Sequence, residues 1–178
     1  MFKKLNLFSG SSLKVLQTLA SDPAHSFFQR EVAEAARVSV GSANRVLRRL
    51  VDAGLVEGSE KGKIHTYRFN ADNPVTRQLK ILFNLLELEV LIEQLKDHAR
   101  RIILFGSCAE GRDVKESDVD LFILTNERDD VAEIIGRFDS ARRLAPIIVD
   151  AEERVRLRDE NKPLYEEIER GITLWERD

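Results

Sequence analysis

The apolar positions of the first third of the chain recur at helical spacing and then switch to alternation. Leu13, Leu16 and Leu19 lie on one face of a helix that Ser11 or Ser12 caps and that ends by Ala20, before Ser21-Asp22-Pro23. Val32, Ala35 and Ala36 mark a short second helix over about Arg30–Ala36. A tight connection, Arg37-Val38-Ser39, leads into a third helix with Ser39 as N-cap, reaching Ala53, with Gly54 as its left-handed terminator. Its apolar residues Ala43, Val46, Leu47, Leu50 and Val51 form one stripe. Leu55–Glu57 and Ile64–Phe69 read as two strands of a hairpin, with Gly58–Lys63 as a basic, glycine-containing loop.

A long helix follows over 74–98, started by Asn73-Pro74. Ile81, Leu85, Leu88, Ile92 and Leu95 make one seam, and Leu79, Leu82, Leu86 and Val90 a second beside it. A helix apolar over so much of its circumference needs cover on more than one side: a neighbouring domain on one, and on the other either more of the same chain or a second copy packed as a coiled coil. A homodimer is the expected state. Beyond it, Arg101–Phe105 and Ser117–Leu124 are apolar runs of strand length, and Ala145–Asp150 is a third strand ending in acid. The expected fold class is α+β, with three helices and a hairpin in residues 1–73, a connecting helix over 74–98 and a small mixed sheet in 99–178.

Composition narrows the classes. The chain has 178 residues, 43% hydrophobic and 33% charged, with 9 Gly and 4 Pro, which excludes a disordered or low-complexity chain. It contains no membrane-length apolar window. The basic, mildly apolar start lacks a small-residue cleavage site, so no signal peptide is expected. One cysteine, Cys108, excludes a disulfide framework and fits a reducing cytoplasm, and three scattered histidines argue against a Cys/His zinc site. The net charge of −3 conceals a split. Residues 1–73 hold 11 Lys and Arg against 7 acids, leaving +4, and residues 74–178 hold 17 against 24, leaving −7. This division suits a polyanion for the first part and divalent cations for the second; chance alone also produces differences of this size.

The polar face of the third helix carries Ser42, Asn44, Arg45, Arg48 and Arg49, and the hairpin tip carries Lys61 and Lys63. A short helix, a turn and a second helix with such a face fit the major groove. Arg45, Arg48 and Arg49 can reach phosphates or guanine edges, Ser42 and Asn44 a base, and the two lysines an adjacent backbone. The same arginines also suit a solvated face on a module that contacts protein. EVAEAARVSVGSANRVLRRLVDAGLV and its hairpin resemble the winged helix-turn-helix domains of prokaryotic regulators over about residues 11–70. The resemblance implies a DNA-reading third helix and a dimer. Gly41 departs from it, costing about 1 kcal/mol relative to Ala.

Asp118 and Asp120 fall two positions apart on one strand, about 6.6 Å, and so face one side. Like charges that close suit a bridging Mg²⁺, although acids at the exposed start of a strand are common without one. Asp150 completes a triad if its strand lies beside that of Asp118; such a site holds two cations about 3.5–4 Å apart. Gly106 lets backbone approach a phosphate, and the Ser107 hydroxyl can bind one of its oxygens. IILFGSCAEGRDVKESDVDLFILT resembles the signature of the polymerase β-like nucleotidyltransferases: Gly106-Ser107, ten residues, then Asp118-Val119-Asp120. The resemblance spans about residues 98–176 and includes a helix near Asp129–Arg142, the strand ending in Asp150 and a helix near Pro163–Arg170. It implies that Gly106, Ser107 and Ser117 hold a nucleoside triphosphate, and that Asp118, Asp120 and Asp150 are catalytic and bind Mg²⁺ or Mn²⁺. An acceptor hydroxyl then attacks the α-phosphate. Small relatives act as antitoxins that nucleotidylate a HEPN-type toxin, so a protein hydroxyl is one acceptor it implies. Glu110 and Cys108 depart from the usual basic or polar residues. Two functions stay open: metal-dependent nucleotidyl transfer coupled to DNA binding, and a DNA-binding regulator whose second domain senses nucleotide or metal without turnover. Cys108 itself reads as a packed small residue rather than a nucleophile.

Overall fold

In the computed structural model the described residues are 9–62 and 64–177, the Lys61 side chain excepted. The chain separates into two compact units, Met1–Lys80 and Ile81–Asp178. Lys63 and the segment read for a signal peptide up to residue 8 lie outside the described residues.

The first unit begins with α1 (Gly10–Ser21), whose cap is Ser9. The expected Ser11 and Ser12 lie inside the helix instead, because the Ser9 side chain already accepts the Ser12 N–H. After β1 (Phe27–Phe28) come α2 (Gln29–Ala35) and α3 (Val40–Asp52). Ser39 caps α3 through the Ser42 N–H, and Gly54, at φ +72°, turns the chain away from its end. Val15, Leu16 and Leu19 of α1, Val32 of α2 and Leu47 and Leu50 of α3 are all fully buried. The strand β2 (Val56–Lys61) pairs antiparallel with β3 (Ile64–Phe69). Pairing extends past the expected end at Glu57, because Gly58–Lys61 find partners in Tyr67–Ile64 and the connection shrinks to two residues. Arg68 clasps Glu57 across the ladder at 2.6 Å. β1 joins the other edge of β3, a two-residue strand too short to show alternation.

Next is α4 (Pro74–Leu95), whose first turn is tied by the Asn73 side chain accepting the Val75 N–H. It stops three residues before the expected end, where the His98 and Ala99 N–H groups both turn back to the Leu95 carbonyl. Lys80, buried, donates to the Ala20 carbonyl near the end of α1. Among the described residues no helix is long and apolar enough to cross a membrane.

The second unit runs β4 (Arg101–Phe105), α5 (Gly106–Glu110), β5 (Val119–Leu124), α6 (Arg128–Arg137), β6 (Leu144–Val149), α7 (Ala151–Glu160), α8 (Lys162–Glu169) and β7 (Ile172–Glu176). The sheet order is β6-β5-β4-β7; only β5 and β6 are parallel, α6 making the crossover. Both faces are covered. On one, Leu88, Leu91 and Leu95 of α4 join Ile102, Leu104, Leu121, Ile123 and Val131. On the other, Ile103, Phe105, Phe122 and Val149 meet Ile168 of α8, with Leu157 and Leu164 against them. That double burial is why β4 and β5 read as unbroken apolar runs. β6 is an edge strand, which accommodates Pro146. α8 sits hard against β4: a β-carbon on Gly171 would stand 2.5 Å from the Leu104 carbonyl oxygen. The helix α7 was not expected; it buries no residue and so carries no apolar stripe.

Candidate functional site

The antiparallel register of β4 and β5 sets Phe105 opposite Asp120, which brings the turn after β4 over the start of β5. Gly106 occupies that turn at φ +66°, and a β-carbon there would stand 2.4 Å from Asp120 Oδ2. Only glycine lets the backbone lie against this carboxylate. Ser107 follows, half-buried, its carbonyl accepting the Gly111 and Arg112 N–H groups that close the short α5. Asp118 immediately precedes β5 and Asp120 is its second residue, so the two carboxylates share a face.

Their surroundings differ. Arg143 grips Asp118 with two nitrogens, Nε donating to Oδ1 at 2.9 Å and Nη2 to Oδ2. This hydrogen bond holds the Asp118 carboxyl below the usual carboxylate range. Asp120 is pushed above it, first by burial and then by the charges of Asp118 and Glu167, with Arg143 opposing.

Asp150 is not at this site. The parallel register sets Asp120 level with Ala145 and Leu124 level with Val149. Asp150 therefore stands at the exit of β6, five residues or roughly 16 Å of strand beyond the level of Asp120. There it caps α7: its side chain accepts the Glu153 N–H at 2.8 Å, and Glu153 returns to the Asp150 N–H at 3.0 Å. The residues of β6 that share the face of Asp120 are Ala145, Ile147 and Val149, all apolar. The expected triad of Asp118, Asp120 and Asp150 is thus corrected to a pair, Asp118 and Asp120. Ser117 closes the preceding loop, its Oγ accepting the Val114 N–H at 3.0 Å. Glu110, whose charge opposes a phosphate, is paired with Arg112 at 3.1 Å in an exposed position.

Two groupings went unread in the sequence. Asp113, fully buried, receives Asn84 Nδ2 at 2.8 Å and Arg142 Nη1 at 2.6 Å, while Arg142 Nη2 reaches Glu87 at 2.7 Å. Cys108 is packed beside them, its thiol donating to the Asp118 carbonyl. This network ties α4 to the loop between Gly106 and Asp118. At the other end of β5, His98, Glu127 and Asp130 bring ligand atoms within 4.8 Å of one another. The scattering of the histidines in sequence hides that grouping. His98 and Glu127 already hydrogen-bond at 2.7 Å.

In the first unit Arg45, Arg48 and Arg49 are exposed on α3, and Ser42 and Asn44 are half-buried. A cavity of about 410 Å³ lies between α3 and the hairpin, with Asn44, Arg48 and Asp52 on one wall and Ser59, Glu60 and His65 on the other. Lys61 lies at the end of β2, next to the turn.

The family described as "Polymerase beta, Nucleotidyltransferase" matches residues 89–178. Among solved structures, AF1382 from Archaeoglobus fulgidus is 16% identical, with 48% of this chain and 97% of that one covered and a TM-score of 0.39. TrmBL2, an archaeal chromatin protein whose structure shows a novel mode of DNA binding, is 15% identical, with 84% and 68% covered and a TM-score of 0.31. No curated protein matches. The match spans half of the chain and contains the turn at Gly106 packed on Asp120 of β5, and the chain belongs to the polymerase β nucleotidyltransferase family.

Proposed function

We propose that residues 81–178 bind a nucleoside triphosphate with Mg²⁺ or Mn²⁺ and transfer its nucleoside monophosphate to an acceptor hydroxyl. The observation that carries this reading is the seating of Gly106 against the Asp120 carboxylate, a cradle that any β-carbon would fill. The donor set suits a hard cation: Asp118 and Asp120 offer only oxygens on one face, and the Arg143 guanidinium already marks Asp118 as a place for positive charge. When bound, the metal supplies charge neutralisation on the phosphates. The Ser107 hydroxyl and the N–H groups beside it hold a phosphate oxygen. The acceptor oxygen bonds to the α-phosphorus, the α–β phosphoanhydride bond breaks, and pyrophosphate leaves with the electron pair. The acceptor's proton passes to solvent. A protein hydroxyl, such as one on a HEPN-type toxin, is the acceptor that the resemblance read in the sequence implies for this transfer.

A second reading has its own support. The apolar face of β6 and the hold of Arg143 on Asp118 favour a domain that binds nucleotide or metal as a signal, without turnover. Incubation with α-labelled NTPs, Mn²⁺ and lysate separates the two. Label on an acceptor that disappears with Asp118→Asn and Asp120→Asn supports transfer; nucleotide binding with no labelled acceptor supports the signal.

We further propose that the first unit is a winged helix that reads DNA through α3, with Ser42 and Asn44 toward bases, Arg45, Arg48 and Arg49 on phosphates or guanine edges, and Lys61 and Lys63 on flanking backbone. The exposed arginines support this. A homodimer through α4 is supported by Leu82, Leu86 and Val90, exposed at successive turns.

A further inference from the structure

The site is short of one acid on β6, and α8 carries a candidate to replace it. Ile168 is buried among Ile103, Phe105 and Phe122, with Leu164 one turn earlier on the same side, so this face of α8 lies on the sheet. One flank of α8 is pinned at the start of β4. Arg101, the first residue of that strand, donates from Nη1 to both oxygens of Glu169, at 3.0 and 3.1 Å. Arg154 of α7 reaches the same carboxylate at 3.3 Å. Helix positions two apart point about 200° from one another. Glu167 therefore emerges on the opposite flank, toward the end of β4, where Phe105 and Gly106 lie against Asp120. The upward push that the Glu167 charge exerts on Asp120 accords with this placement.

We propose that Glu167 is the third carboxylate of the cation site, supplied from α8 where the same face of β6 presents the apolar Ala145, Ile147 and Val149. The inference rests on the cation-dependent reading of Asp118 and Asp120. Asp118, Asp120 and Glu167 together carry more negative charge than the opposing Arg143 offsets, an excess that a divalent cation neutralises. Glu167 is exposed, so its side chain has freedom to swing toward an ion without breaking a packed contact.

Mn²⁺ titration of the full chain tests it, read by the loss of free-ion electron paramagnetic resonance signal, with and without a nonhydrolysable triphosphate. Glu167→Gln is expected to weaken Mn²⁺ at least tenfold. Glu166→Gln, which removes an equal charge one residue away, is expected to leave it unchanged, and Ala145→Asp is expected to restore Mn²⁺ binding to the Glu167→Gln chain. Thermal melting verifies that each variant is folded. If Glu167→Gln binds Mn²⁺ like the parent while Asp118→Asn with Asp120→Asn does not, Glu167 is no ligand and the two-aspartate reading stands. If the parent itself takes up no Mn²⁺, both fail.

Discussion

Asp118 and Asp120 are two positions apart, yet a divalent cation meets a different obstacle at each. At Asp118 it must displace the two-nitrogen grip of Arg143. Arg143→Ala should therefore raise Mn²⁺ affinity, measurable by calorimetry without nucleotide; a fall in affinity would mean that Arg143 supports the ion rather than competes with it. At Asp120 a proton competes with the ion as the pH falls. Burial and the neighbouring charges raise its carboxyl, so on acidification it protonates before Asp118, which stays ionised. Cation binding should thus weaken as the pH falls through the raised value. Stability has the opposite sign. A raised folded pKa gives a contribution present below the unfolded value and lost as the pH rises through the folded one. Asp120→Asn should then raise the melting temperature at neutral pH, and the gain should vanish in acid; a constant gain at both would point to a cause other than ionisation.

Among the elements, the Asn84–Asp113–Arg142 network ties α4 to the loop that leads to Asp118. Asp113→Ala would strip Arg142 of its fully buried partner and Asn84 Nδ2 of an acceptor, while Glu87 still holds the arginine, so the cost is that of buried polar groups left unsatisfied, about 1–3 kcal/mol. Chemical denaturation should register that loss, and a change within 1 kcal/mol would mean that water replaces the carboxylate with little penalty. Nothing in the sequence pattern announces this network, because Asn84, Asp113 and Arg142 are far apart and interrupt no periodicity. Other elements were legible. Ser39 and Gly54 bracket α3 because capping and left-handed termination are local effects. The runs of β4 and β5 and the helical stripe of α4 follow from burial. Asp150 shows where such reading stops. An acid at the end of a strand is visible, but strand direction relative to a neighbour is not. Had β6 run antiparallel to β5, its last residue would have lain beside Asp120; parallel, it lies at the far end and caps α7. The helix α7 escaped because it has no fully buried residue and sets only Leu157 against the core.

Across the whole molecule, charge divides by sequence: residues 1–73 carry +4 and residues 74–178 carry −7. Any attraction to nucleic acid then falls to the first stretch and to α3 in particular. DNA affinity should drop with salt, the logarithmic slope shrinking by about 1 for each phosphate contact removed by Arg45→Ala or Arg48→Ala. Fluorescence anisotropy across a salt series checks this, and an unchanged slope would assign those arginines to another role. Leu86→Glu puts a charge in the middle of the exposed α4 stripe, where Leu86 is 56% exposed. It should convert a dimer to a monomer in light scattering; a parent chain of monomer mass would rule the dimer out.

The tight seat of Gly171 on the Leu104 carbonyl has a consequence for how this rim accepts a ligand. With no room for even one methyl group, the joint between α8 and β7 is a weld, not a hinge. The backbone of α8, which carries Glu167, is immobilised with the sheet. Accommodation of an incoming molecule then falls to elements other than α8, among them the loop before Asp118, where Val114, Lys115 and Glu116 are exposed. Selectivity for size would be written there, whereas the geometry that grips the ion would be inherited unchanged from the rigid side.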